Sequence, residues 1–124
     1  MKRVLKYIMD RATLKHLEDM RLSIDEIESY FAVNEKKFSV YEDNSMLRSA
    51  VERKLEIIGE AANRILKENK DIAITNVKRI IGLRNRIIHS YDSISNTDIW
   101  AIVIRDLPIL KQEIIVILEK YPDA

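Results

Sequence analysis

Apolar residues recur at three- and four-residue steps along most of this chain, the period of an amphipathic helix and not of a strand. Leu17, Met20, Ile24, Ile27 and Phe31 form the first stripe, and Val4, Leu5, Ile8 and Met9 extend it upstream. Polar breaks at 34–37 and 42–45 frame a short segment holding Phe38 and Tyr41, and Asn44 or Ser45 is a natural N-cap for the next helix. Leu47, Val51, Leu55, Ile58, Ala62 and Ile65 form a second stripe that runs to about Asn69. Thr75 or Asn76 can cap a third helix carrying Val77, Ile80, Ile81, Leu83, Ile87 and Ile88. The stretch from Ser90 to Asp98, rich in Ser, Asp, Asn and Thr, reads as a loop that recaps at Ser95 to Thr97. Trp100, Val103, Ile104, Leu107, Leu110, Ile114 and Leu118 then define a last helix, in which Pro108 implies a kink or a fresh start. Four long helices and one extra short one, joined by short polar loops, predict an all-α fold, an up-and-down four-helix bundle forming one domain over residues 1–124.

Composition narrows the chemistry. Among 124 residues, 47% are apolar and only two are glycine and two proline, which suits one helical core. With no cysteine there is no disulfide, no thiol nucleophile and no thiolate zinc site. No short acidic motif for a hard cation stands out, so neither a metal nor a cofactor is expected. The basic N-terminus is followed by an apolar stretch broken at Lys6, Asp10 and Arg11, and no apolar run is long enough to span a bilayer. A soluble, cytoplasmic protein is expected. Its formal charge of +1 does not mark a nucleic-acid binder. The distribution says more: between Asp71 and Asp92 lie Lys78, Arg79, Arg84 and Arg86 and no acid, a local anion-attracting segment unless the four cations merely solvate a helix face. Lys78, Arg79 and Arg86 are accordingly candidates for RNA contact.

Inside that cationic stretch, Arg84, Asn85, His89 and Tyr91 gather side chains suited to one chemistry. Arginine carries a fixed, forked cation matched to phosphate, and histidine can give and take a proton near neutrality. Together they suit cleavage of a phosphodiester. On a regular helix of ~100° per residue, Arg84 and Tyr91 share a face, whereas Arg84 and His89 diverge by about 140°. A site therefore requires the helix to fray near 88–90, or two copies of the motif to meet across a two-fold axis. Plainer roles compete: His89 can bond the helix C-terminus and Tyr91 can pack in the core. His16 is expected in solvent and Trp100 in the core. Glu60 is either solvated or a buried carboxylate orienting an arginine of the motif. The mid-helix Gly59, beside Ala61 and Ala62, suggests close approach of a neighbouring helix.

Arg84-Asn85, four positions, then His89-Ser90-Tyr91 resembles the Arg-x4-His-x-Tyr signature of HEPN-domain proteins of the HepT type. The resemblance runs from about Leu14 to Tyr121. It includes the second-helix pattern Leu55-Glu56-Ile57-Ile58-Gly59-Glu60-Ala61-Ala62, the approach Ile81-Gly82-Leu83-Arg84-Asn85, and Asp106-Leu107-Pro108 at the last element. Asp92 stands where members often carry an aromatic, and the third helix lacks the tryptophan common at its start.

The resemblance implies a ribonuclease toxin of a toxin–antitoxin pair, a homodimer whose two motifs meet in one cleft. It also implies a minimal nucleotidyltransferase partner that adenylylates the motif tyrosine. Carried over, Arg84 and His89 are the catalytic pair, Asn85 and Tyr91 support them, and Tyr91 is the adenylate acceptor. The alternative is a non-catalytic helical module that docks the nucleotidyltransferase or binds a nucleotide, using Arg84 and His89 for phosphate recognition only.

Overall fold

The structure, a computed structural model, describes residues 10–89 and 95–121; at residues 87–89 the description is of the helical backbone alone. The upstream extension through Val4 to Met9, and the loop from Ser90 to Ile94, lie outside the described residues.

Each long apolar stripe becomes a helix, and its capping residues say where it starts. Helix α1 (Arg11–Val33) begins where the Asp10 carboxylate accepts the Thr13 N–H, and it buries Leu14, Leu17, Met20, Ile24 and Ile27. The framed segment is the short helix α2 (Phe38–Asp43). Asn44 then caps α3 (Ser45–Glu68), accepting from the Leu47 N–H at 3.0 Å as its position anticipated. Helix α4 (Lys78–His89) starts differently from expectation. The Val77 carbonyl accepts the Ile81 N–H, while the Thr75 hydroxyl and amide both bond Glu113 instead of capping the helix.

Ser95 caps the final rod, accepting from Thr97 and Asp98. That rod consists of α5 (Asn96–Ala101), a π turn (Ile102–Asp106) and α6 (Leu107–Glu119). Residues at both junctions keep right-handed helical backbone angles, so the rod runs on through Pro108 with no fresh start. The proline instead follows a wider turn, in which the Leu107 N–H reaches back to Ile102 O. A residue that cannot donate a backbone bond is tolerated at the opening of α6 because the pitch has already changed there.

Helix α3 lies between α1 and α4, and α1 also packs on α6. The pairs Thr75–Glu113, Arg79–Asp106 and Arg86–Asp98 set α4 antiparallel to the final rod. This is the all-α bundle with a short extra helix that the periodicity predicted. Its core is continuous and includes Leu17, Ile24, Leu55, Ile58, Ile80, Leu83, Leu110 and Ile114. Lys111 fastens α6 to α1 by ion pairs of 2.9 Å to both Asp25 and Glu28, which raise its pKa. Trp100 is half-buried, with Phe31, Phe38 and Tyr41 around it at centroid distances of 5.6, 6.2 and 5.6 Å. Helix α2 thus closes one side of the bundle with aromatic contacts.

Candidate functional site

The motif occupies the second half of α4, and the sequence dictates what holds it there. Ile80 and Leu83 are fully buried and face α4 into the core. Arg84, one residue further round, lies over α3. A Cβ built on Gly59 would stand 2.7 Å from the Arg84 Cβ and 3.1 Å from the Ile80 carbonyl oxygen. Real side chains do not approach so closely, so at this crossing only glycine lets α4 sit where it does. The expected close approach is therefore found, and it falls on the arginine of the motif.

From that anchored stem the Arg84 guanidinium donates from Nη1 to Asn85 Oδ1 at 2.9 Å. Its Nε is buried and has no hydrogen-bond partner among the described residues. An unmatched buried donor costs on the order of 1–3 kcal/mol, and Thr13 Oγ1 and Tyr41 Oη are likewise buried without a partner among the described residues. The α4 backbone is helical through His89, so the fray anticipated as early as Ile88 is not seen there. By register, position 89 stays about 140° round the helix from Arg84. The side chain of His89, and all of Ser90 and Tyr91, lie outside the described residues.

The segment that carries no acid in sequence is not without acids in space. Arg79 Nη2 bonds Asp106 Oδ1 at 2.9 Å, and Asp106 is almost fully buried in the π turn. Arg86 lies 3.9 Å from Asp98 of α5, both side chains well exposed, an arrangement contributing at most about 0.2–1 kcal/mol. Lys78 is exposed at the start of α4. Glu60 is exposed and pairs with Arg64 at 3.0 Å, so it does not orient the motif arginine. His16 is half-buried at a small surface groove beside Asp19, Arg53 and Glu60, so it is not freely solvated as expected.

Between α4 and the final rod runs a groove of about 600 Å³, lined by Arg79, Gly82 and Arg86 on one side and Asp98, Ile102 and Arg105 on the other. Two of its arginines stand out in the sequence as candidates for RNA contact, whereas Arg105 and Gly82 do not. Their only local signal is a second mid-helix glycine and a charged pair just before Pro108. Among the described residues no cluster of three or more metal-ligating side chains occurs.

Residues 20–117 match the family described as Ribonuclease HepT-like. The chain belongs to this family. The matched span reaches from mid-α1 to the end of α6 and includes the whole motif, so membership bears out the ribonuclease class that the motif suggested. A HepT-like relative of Methanocaldococcus jannaschii, named "Putative RNase MJ1380", is 40% identical over 79 residues, covering 62% of this chain and 72% of its own. "Putative RNase TTE0752" of Caldanaerobacter subterraneus is 32% identical over 97 residues, covering 75% and 87%. "Probable ribonuclease HepT" of Thermococcus cleftensis is 31% identical over 104 residues, covering 83% and 93%. No solved structure matches the chain. None of the described helices of this HepT-like protein is long and apolar enough to cross a membrane.

Proposed function

We propose that the chain is a metal-independent endoribonuclease acting as a homodimer, with Arg84 and His89 as its catalytic pair. The observation that carries this reading is the placement of Arg84. Its stem is held against Gly59, and its guanidinium, bonded at the exposed end to Asn85, keeps further N–H donors for a phosphate. In the reaction the RNA 2′-hydroxyl attacks the adjacent phosphorus and the bond to the 5′-oxygen breaks. The products are a 2′,3′-cyclic phosphate and a 5′-hydroxyl. His89 moves the proton between the reacting oxygens, and Arg84 stabilises charge on the phosphorane. Asn85 holds the guanidinium by its 2.9 Å bond.

Helical backbone through His89 favours a site built by two copies, because one α4 directs positions 84 and 89 apart. Mixing Arg84→Ala chains with His89→Ala chains tests this. Neither variant alone should cleave RNA, and an equal mixture after subunit exchange should recover about a quarter of parent activity, from one intact site in half the dimers. Cleavage should persist in EDTA. A mixture as inactive as its parts would mean that each chain carries its own complete site. Cleavage undiminished in His89→Ala would end the catalytic reading altogether.

The same reading makes the chain the toxin of a toxin–antitoxin pair, restrained by a minimal nucleotidyltransferase. The Tyr91 hydroxyl would attack the α-phosphate of ATP, take the adenylate and release pyrophosphate. This adds bulk and negative charge beside the motif and repels RNA from it. Mass spectrometry after co-expression with the partner should find one adenylate on the parent and none on Tyr91→Phe.

A further inference from the structure

From its walls and floor we infer that the groove between α4 and the π turn is where the RNA strand is held by its phosphates, with Arg86 and Arg105 on opposite walls and Gly82 keeping the floor open. The inference rests on the ribonuclease reading and assigns it a substrate track.

The volume of about 600 Å³ lies within the roughly 300–1,000 Å³ of ordinary ligand sites. Three arginines line it against one acid, Asp98, although the chain as a whole carries a formal charge of only +1. With Arg79 neutralised by Asp106 and Arg86 loosely paired with Asp98, the uncompensated positive charge of the groove rests on Arg105, where a phosphate can meet it. The arginines are not equivalent. Arg79 is tied to the buried Asp106 and forms a fixed wall, and Arg86 is held only loosely at 3.9 Å from Asp98. Arg105 has no ion-pair partner among the described residues, so its charge is available to a ligand.

Gly82 supplies the second observation. It lies inside a helix, where glycine is unfavourable, yet a Cβ built there meets nothing within 4 Å. No packing contact explains the residue. Open space above a bare backbone, between two arginines, is what close passage of a phosphodiester needs. Position 89 is seven residues on, hence within about 20° of Gly82 on the α4 surface and about 10 Å further along its axis. The track therefore leads toward the helical end that carries the motif. A second copy of this chain fits the groove less well, since a two-fold contact there would set arginines against arginines.

The test is binding of a short fluorescent 2′-O-methyl oligoribonucleotide, which cannot be cleaved because its attacking hydroxyl is blocked, alongside cleavage of the matching RNA. Arg105→Ala should weaken binding about three- to tenfold whatever the sequence and reduce the salt slope by about one. Gly82→Leu should weaken it more than tenfold, on the order of one lost close contact track, while its melting temperature stays level or rises because leucine favours helix. His89→Ala should bind as the parent does and fail to cleave. A parent that cleaves, with both groove variants binding and cleaving as it does, overturns the track and leaves the ribonuclease reading standing. Conversion of either variant from dimer to monomer in sedimentation also overturns it, making the groove a contact between copies. A parent that neither binds nor cleaves removes both readings.

Discussion

Gly59 and Gly82 are the two glycines of the chain, both inside helices, and a methyl group added to each would meet opposite surroundings. At Gly59 it would run into the Arg84 Cβ at 2.7 Å; at Gly82 it would enter open space. The two positions mark the two sides of α4. Toward α3 the helix is dry and closely packed, with Ile80 and Leu83 fully buried and the Arg84 stem pressed on the neighbouring backbone. Toward the final rod it is polar and open, and its arginines meet Asp98 and Asp106 across a groove. One side fixes where the motif stands. The other decides what can reach it.

The strongest way to break the packed side is Leu83→Ala. Deleting a fully buried leucine should cost about 2–5 kcal/mol in chemical denaturation, with cleavage falling only as the folded fraction does. Gly59→Ala comes next and is the sharper probe. The atoms in its way are a Cβ and a backbone carbonyl, neither at the end of a flexible side chain, so α4 must shift. We expect a loss of about 1–3 kcal/mol, together with a fall in kcat larger than any change in KM, because the displaced group is the Arg84 stem. A melting curve and Michaelis kinetics on one preparation check both parts.

The same substitution at Gly82 should have the opposite sign, stabilising the protein by about 0.5–1 kcal/mol, since alanine gains helix propensity and meets no neighbour. If Gly59→Ala and Gly82→Ala shifted stability in the same direction, the contrast between the two sides of α4 would be wrong. Asp98→Asn, which removes the loose partner of Arg86 and a carboxylate from the first turn of α5, should lower stability by no more than about 1 kcal/mol and tighten RNA binding slightly at low salt.

Much of the packed side can be read from residues alone. Its helices follow the apolar period, Asn44 and Ser95 cap where side-chain chemistry says they should, and a glycine amid alanines announces a close crossing. The open side is far less legible. Arg79 and Arg86 stand in a stretch with no acid, yet their partners come from residues distant in sequence, which no local count reveals. Asp106 is, in sequence, one more charged residue ahead of a proline, and only the altered pitch of the π turn shows why it is buried. Thr75 misleads for a related reason: the helix opens two residues later, where the Val77 carbonyl accepts the Ile81 N–H, and the Thr75 hydroxyl donates to Glu113 from a distant element. Glu60 is open to either reading until Arg64, one helical turn away, is found beside it.

The π turn also carries a consequence for how this surface can change over evolutionary time. A wide turn is an α-helix with one residue inserted, so its effect depends on chain length more than on which side chains it holds. Ile102, Arg105 and Asp106 all lie in it, so the far wall of the groove is set by that insertion. A single-codon deletion there would restore ordinary pitch and rotate everything on one side of the cut by about 100°. Either Trp100 would leave its aromatic neighbours or α6 would turn its apolar stripe out of the core. Lineages descended from this chain can therefore substitute residues within the π turn without moving the wall it forms, but a frame-preserving loss of one residue at this point would dismantle wall and core together.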